Sequence, residues 1–98
     1  MKGTERFQTS KSCMVMEGFD GEYYVFNQDN RKFVETDKVG AYALSLIDGK
    51  RRFKQIADAA YQRFADMGVS YEEISRKMTA TFEAAMKIEA IRKKKIPW

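Results

Sequence analysis

The chain has 98 residues, the size of one small domain, which buries roughly two-thirds of the surface that its unfolded form exposes. Histidine is absent and Cys13 is the only cysteine, so the chain lacks the commonest general base and cannot form an internal disulfide or a structural zinc site. This composition favours a binding module over an enzyme, and we expect no metal and no cofactor.

The net charge of +4 is unevenly distributed along the chain. Residues 1–36 carry −1 and residues 37–98 carry +5, with basic clusters at 50–54, 76–77 and 92–95. Such a balance permits nucleic acid, an acidic peptide or an acidic protein as a partner. We interpret the cluster at 50–52 as a solvated loop and the one at 92–95 as a solvated helix end, with docking of an acidic partner enzyme as the alternative for either.

No segment is apolar for long enough to cross a membrane, since the longest apolar runs have four residues. The N-terminal residues also lack the apolar stretch of a secretory signal. We therefore expect a cytoplasmic protein without a membrane partner. Residues 1–11 are polar and unpatterned, which predicts a flexible tail ahead of a single domain over 12–95.

Three short strands are predicted between about residues 12 and 36. Cys13–Met16 is apolar, Glu22–Phe26 is aromatic and β-branched, and Arg31–Thr36 contains a further apolar pair. Residues with turn propensity separate them at 18–21 and 27–30. This arrangement predicts an antiparallel meander.

After this, apolar residues recur every 3.6 residues instead of every two, which predicts helices at about 38–48, 53–67 and 71–94. Asp37 is a favourable N-cap for the first helix, and Gly49 can supply a left-handed residue at its end. Three strands followed by three helices predict an α+β fold with the helices packed on one face of the sheet.

The third predicted helix has the clearest start and the least clear end. Ser70 and Glu73 form a capping box at its N-terminus. Nothing in the sequence breaks the helix before Pro97, so we expect it to continue to about residue 94. Trp98, the only tryptophan, is either an anchor for a partner or a frayed end.

Three segments between Met16 and Phe64 resemble the PqqD family, whose members are also called RiPP recognition elements. Glu-Tyr-Tyr-Val-Phe-Asn at 22–27, Gly-Ala-Tyr-Ala-Leu-Ser-Leu-Ile-Asp-Gly at 40–49 and Phe-Lys-Gln-Ile-Ala at 53–57 carry the resemblance. The chain departs from the family pattern at three structural positions, which hold Thr36-Asp37, Val39 and Arg52.

The resemblance implies a winged-helix-like fold without catalytic activity. Proteins of this family bind the leader segment of a ribosomally made precursor peptide and present it to a modifying enzyme, often a radical SAM enzyme. In the family, the leader adds as a strand to the edge of the third strand, and its side chains enter a groove beside the third helix. In strand addition, backbone hydrogen bonds supply affinity and side-chain pockets supply specificity.

Two sets of residues are the candidate peptide-binding site under this resemblance. Charged edges also protect proteins against aggregation, and an apolar stripe on a helix is also a core face, so each set has a purely structural alternative. The strand phase, which decides which backbone N–H groups face the open edge, cannot be read from the sequence. The edge set is Arg31, Lys32, Phe33, Val34 and Glu35, and the groove set is Lys77, Met78, Thr81, Phe82 and Ala85.

Two functions of other classes stay open. Aromatic residues at Tyr23, Tyr24 and Phe26 with Lys and Arg nearby are typical of single-stranded nucleic-acid platforms, although the motifs of the RNA module are absent. The alternatives are therefore a winged-helix-type nucleic-acid-binding regulator, which the sequence disfavours, and a structural accessory subunit of an enzyme complex. Cys13 has no histidine partner, and we expect it to be buried and inert.

Overall fold

The computed structural model describes residues 1–95, so the roles predicted for Pro97 and Trp98 lie outside the described residues. A 3₁₀ turn at Ala65–Met67 extends the second helix to the predicted end. Within the described range no helix combines the length and hydropathy needed to cross a membrane. The elements in chain order are β1 (Phe7–Thr9), β2 (Cys13–Glu17), β3 (Tyr23–Asn27), β4 (Lys32–Thr36), α1 (Lys38–Ser45), α2 (Phe53–Phe64), α3 (Tyr71–Lys87) and β5 (Ile91–Lys93).

The main sheet is antiparallel with the order β2-β3-β4, which confirms the predicted meander and the α+β fold. Val15, Val25 and Val34 form one row across it, since Val25 is opposite both of the others. Side chains alternate between the faces of a strand, so this row is on the face that packs on the helices, where Val25 is fully buried. Both β2 and β4 are edge strands.

Aromatic rings from three distant segments meet in the core. The Phe82 ring of α3 packs edge-on against Phe7 at 4.9 Å between centroids and against Phe53 of α2 at 5.6 Å. Edge-to-face aromatic pairs add to the free energy already gained by burying their apolar area. This cluster joins the N-terminal segment to α2 and α3.

The prediction of a flexible tail over residues 1–11 is wrong. Residues 7–9 form β1, which pairs antiparallel with β5, and Phe7 is buried in the core. A single apolar residue among polar neighbours creates no periodicity, so the sequence carried no local signal for this strand.

The prediction that α3 continues to residue 94 is also wrong, because the helix ends at Lys87. Glu89 takes a left-handed conformation with φ of 61°, and Ala90 N–H donates to Ala85 C=O while Glu89 N–H donates to Met86 C=O. These two bonds form a Schellman motif with glutamate in the usual glycine position.

The side chain of Asn27 completes this helix end. Its Nδ2 donates to Ile88 C=O at 2.9 Å and to Glu89 C=O at 3.2 Å. Asn30 Nδ2 donates to Ile88 C=O as well. Carbonyls at the end of a helix need partners outside it, and here the β3–β4 turn supplies them.

The remaining helix ends lie closer to the predicted boundaries. Asp37 Oδ1 accepts the Gly40 N–H at 2.9 Å, and Ser70 Oγ accepts the Glu73 N–H at 3.1 Å, so both predicted N-caps are confirmed. The first helix ends at Ser45 instead of 48, and Gly49 is left-handed in the turn that follows.

We expect Phe7→Ala to lower the free energy of unfolding by about 3–5 kcal/mol, because it removes a buried ring from the core. Gln8→Ala, an exposed change on the same strand, should alter it by less than about 0.5 kcal/mol. Urea unfolding followed by circular dichroism measures both. Equal effects of the two substitutions would restore the flexible-tail interpretation.

Candidate functional site

Two hydrogen bonds at the ends of the β2–β3 pairing show which backbone groups of the sheet have no partner strand. Gln28 N–H donates to Ser12 C=O at 3.0 Å, and Gly18 N–H donates to Glu22 C=O at 2.7 Å. Backbone groups alternate in direction along a strand, so the even-numbered residues of β3 bond to β2 and the odd-numbered ones bond to β4.

This phase makes Phe33 and Glu35 the outward-pointing residues of β4. The odd-numbered residues of β3 are opposite Lys32, Val34 and Thr36, whose backbone groups therefore face into the sheet. The N–H and C=O groups of Phe33 and Glu35 point to the open edge, where they can pair with a further strand. This is the strand phase that the sequence could not show.

A shallow depression of about 230 Å³ lies between β4 and α3. The Thr36 and Thr81 hydroxyls are 2.7 Å apart within it and link the strand to the helix. Two alanines of α3, Ala80 and Ala84, leave space beside this link. The lining residues are Glu35, Thr36, Asp37, Lys77, Ala80, Thr81 and Ala84.

Gly40 allows α1 to approach this link closely. A Cβ atom at Gly40 would collide with the hydroxyls of both Thr36 and Thr81. Glycine is the residue that permits such a close backbone approach. The glycine at the start of the 40–49 segment thus has a physical reason in this structure.

An ion pair borders the depression. Lys77 Nζ contacts Asp37 Oδ2 at 2.6 Å, with both side chains partly exposed. Burial alone would raise the pKa of Asp37, but the hydrogen bonds from Lys77 and from Gly40 N–H, with the Lys77 charge, outweigh it and hold that pKa below its ordinary value. Asp37 therefore caps α1 and anchors Lys77 at the same time.

The structure brings together most of the predicted site. Lys32 to Glu35 lie on β4, and Lys77 and Thr81 face them from α3. Arg31 lies in the turn before the strand, with a left-handed φ of 61°. Phe33 is 58% exposed, and Val34 is half-buried on the helix-facing side.

Three predicted groove residues lie elsewhere. Met78, Phe82 and Ala85 are 0% exposed in the core, so the expectation that they line the groove is wrong in this structure. They occupy the stripe of α3 that faces the other helices. The flank that faces β4 carries Ala80 and Ala84, which the sequence analysis missed although they adjoin the stripe.

The described part of the chain holds no group of three or more His, Cys, Asp or Glu side chains that could bind a metal ion. Cys13 is half-buried on β2, and burial raises the pKa of its thiol. A raised pKa leaves less of the reactive thiolate at neutral pH.

Comparisons with known proteins bear on the fold. No family model matches the chain, and no curated protein matches it. Among solved structures, the chain is similar to TbiB1 in complex with the TbiA(beta) leader peptide, with a TM-score of 0.61 and 19% sequence identity. The match covers 91% of this chain and 99% of that chain. The chain therefore shares its fold with TbiB1, and this agrees with the predicted α+β arrangement of three strands and three helices.

The Asp37–Lys77 pair predicts a pH-dependent stability. The pKa of Asp37 is lowered by folding, so the carboxylate stabilises the protein above the unfolded value near 4, and the contribution disappears as the pH falls through the folded value. Asp37→Asn retains a good N-cap and should cost less than about 1 kcal/mol at neutral pH. Unfolding of both proteins at decreasing pH from pH 6 should show this difference shrink once the pH falls below the unfolded value, and a constant difference would contradict the ion-pair assignment.

Proposed function

We propose that this chain is a non-catalytic peptide-binding protein that binds the leader segment of a ribosomally made precursor peptide by strand addition to β4. It presents the bound precursor to a modifying enzyme, and in the proteins that it resembles this is often a radical SAM enzyme. The observation that carries the proposal is the open edge, where Phe33 and Glu35 offer unpaired backbone groups beside a depression. The fold shared with TbiB1, which was solved with a leader peptide, supports it.

In strand addition, the backbone and the side chains of the peptide make different contributions to binding. An added strand exchanges N–H···O=C bonds with Phe33 and Glu35, and every second side chain of the peptide then faces α3. The depression of about 230 Å³ has room for one or two such side chains, because Ala80 and Ala84 are small. Backbone pairing supplies the affinity, and this pocket selects the side chain.

The charges of the edge can select the direction of the peptide. Arg31 and Lys32 precede the open part of β4, and Glu35 lies at its other end. Lys77 is already paired with Asp37, whereas Glu35 makes no ion pair with the described residues. A leader with an acidic residue opposite Lys32 and a basic residue opposite Glu35 fits this order best.

One observation favours a second candidate, the binding of nucleic acid. The basic clusters at 50–54 and 92–95 come together. Lys94 Nζ donates to Gly49 C=O, and Lys94 N–H donates to the C=O of Arg6, which forms a β-bridge with Arg52. Converging Lys and Arg residues can contact phosphates. Binding of duplex DNA with sequence preference, weakened steeply by salt, would replace the peptide proposal.

A proline at the open edge tests the binding mode. Phe33→Pro removes one outward-pointing N–H without breaking the β3–β4 ladder, and it should weaken binding of the leader peptide by about tenfold, or 1.4 kcal/mol. Val15→Pro makes the equivalent change at the other edge, on β2, and should leave binding intact. Phe33→Ala, which keeps the N–H, separates the backbone effect from loss of the ring.

Titration calorimetry with leader peptides encoded beside the gene measures these affinities, and circular dichroism confirms that each variant folds. Loss of binding with Val15→Pro but not with Phe33→Pro would move the site to β2. Equal loss with Phe33→Ala would assign the effect to the ring instead of the N–H group.

A large side chain in the depression tests the pocket. Ala84→Trp should fill it and weaken leader binding by about tenfold while the protein stays folded. Glu83→Trp adds the same ring to the exposed side of the same helix and serves as the control. Ala85→Trp should instead destabilise the fold, because Ala85 is in the core. Normal leader binding by Ala84→Trp would show that the depression is not the peptide site.

A further inference from the structure

The face of the main sheet opposite the helices is apolar. Side chains alternate along each strand, so the residues between the helix-facing ones point outward. Met16 is 48% exposed, Phe33 is 58% exposed, and the neighbouring side chains are at least partly accessible. We define the outer patch as Met14 and Met16 of β2, Tyr24 and Phe26 of β3, and Phe33 of β4.

The outer patch is continuous across all three strands. Phe26 is opposite Met14 on one side and Phe33 on the other, and Tyr24 is opposite Met16. The ring centroids of Phe26 and Phe33 are 5.5 Å apart, and those of Tyr24 and Phe33 are 6.1 Å apart. The five side chains thus form one surface instead of scattered exposed residues.

Packing among the described residues does not account for the outer patch. None of its five residues belongs to the buried core, and Met14, Met16 and Phe33 are 37%, 48% and 58% exposed. Contiguous apolar surface on a small protein marks an interaction site. Aromatic residues and methionine are also the types enriched where proteins bind each other.

The charges around the outer patch indicate what can cover it. Glu22, Glu35 and Asp20 lie around Tyr24, and loss of hydration together with these charges raises the pKa of its hydroxyl. Arg31 lies in the β3–β4 turn, at the opposite end of β4 from Glu35. Three carboxylates repel phosphate groups, which argues against nucleic acid or an anionic membrane. A surface with Lys or Arg opposite these carboxylates fits instead.

We propose that the outer patch docks a partner protein whose binding surface is apolar and bordered by lysine or arginine. Under the proposed function this partner is the modifying enzyme, so the partner's identity, although not the docking surface, rests on that function. The docking surface is distinct from the basic clusters, which the sequence had suggested for an acidic partner enzyme. It also leaves the backbone edge of β4 free for a peptide.

The test uses the full chain and the purified protein product of each gene that adjoins its own. Titration calorimetry should show that one of these proteins binds, and that Met16→Ser weakens this binding by about tenfold. Val15→Ser, on the same strand but the opposite face, should change it little, and Met16→Leu should retain it. Glu22→Gln should weaken binding and reduce its dependence on salt.

The outcomes separate this proposal from the proposed function. If Met16→Ser still binds the leader but no longer binds the partner protein, the docking surface and the peptide function are both supported. If Met16→Ser no longer binds the partner protein and the parent binds no leader, the docking surface is supported and the peptide function is overturned. The docking surface is overturned if Val15→Ser and Met16→Ser weaken the partner equally, or if no adjoining product binds. It is also overturned if sedimentation shows that the parent self-associates and Met16→Ser abolishes this, which would assign the patch to a second copy of the chain.

Discussion

Attachment of the main sheet to α3 at two points is the constraint on which the site depends. At one end, Asn27 donates to the Ile88 and Glu89 carbonyls and closes the helix. At the other end, the Thr36 and Thr81 hydroxyls join β4 to the middle of the helix. A buried polar group that loses its partner costs roughly 1–3 kcal/mol, so these contacts hold β4 at a fixed distance from α3. The depression between β4 and α3 surrounds the second of these attachments.

Different sides of the molecule carry side chains of different polarity and charge. The outer patch is apolar with carboxylates at one end, whereas the two basic clusters converge around Gly49. The open edge of β4 lies between the outer patch and the depression, and it carries both signs of charge. Charged side chains on an exposed edge discourage pairing with unrelated chains, while a partner of complementary charge can still pair with the edge. A small domain can in this way bind a peptide and a protein at separate surfaces.

Features that depend on residues close together in the chain are predictable from the sequence. Alternation and turn residues predicted the meander, and the change to a 3.6-residue period predicted three helices. The N-caps Asp37 and Ser70 were found correctly because a cap bonds to an N–H only three residues away. The family resemblance implied a winged-helix-like fold and suggested residues 31–35 as the candidate edge. All of these signals are local in the chain.

Features that depend on residues far apart in the chain are visible only in the folded protein. Asn27 ends α3 from 61 residues away, so no signal near Lys87 could show the end of the helix. Phe7 joins the core only because distant rings surround it. A stripe of apolar residues shows that a helix has a buried face but not which neighbour covers each part of it. The sequence therefore does not distinguish Phe82, which is in the core, from Ala84, which lines the depression. The phase of β4 likewise depends on its pairing with β3, since a strand alone has two equivalent edges.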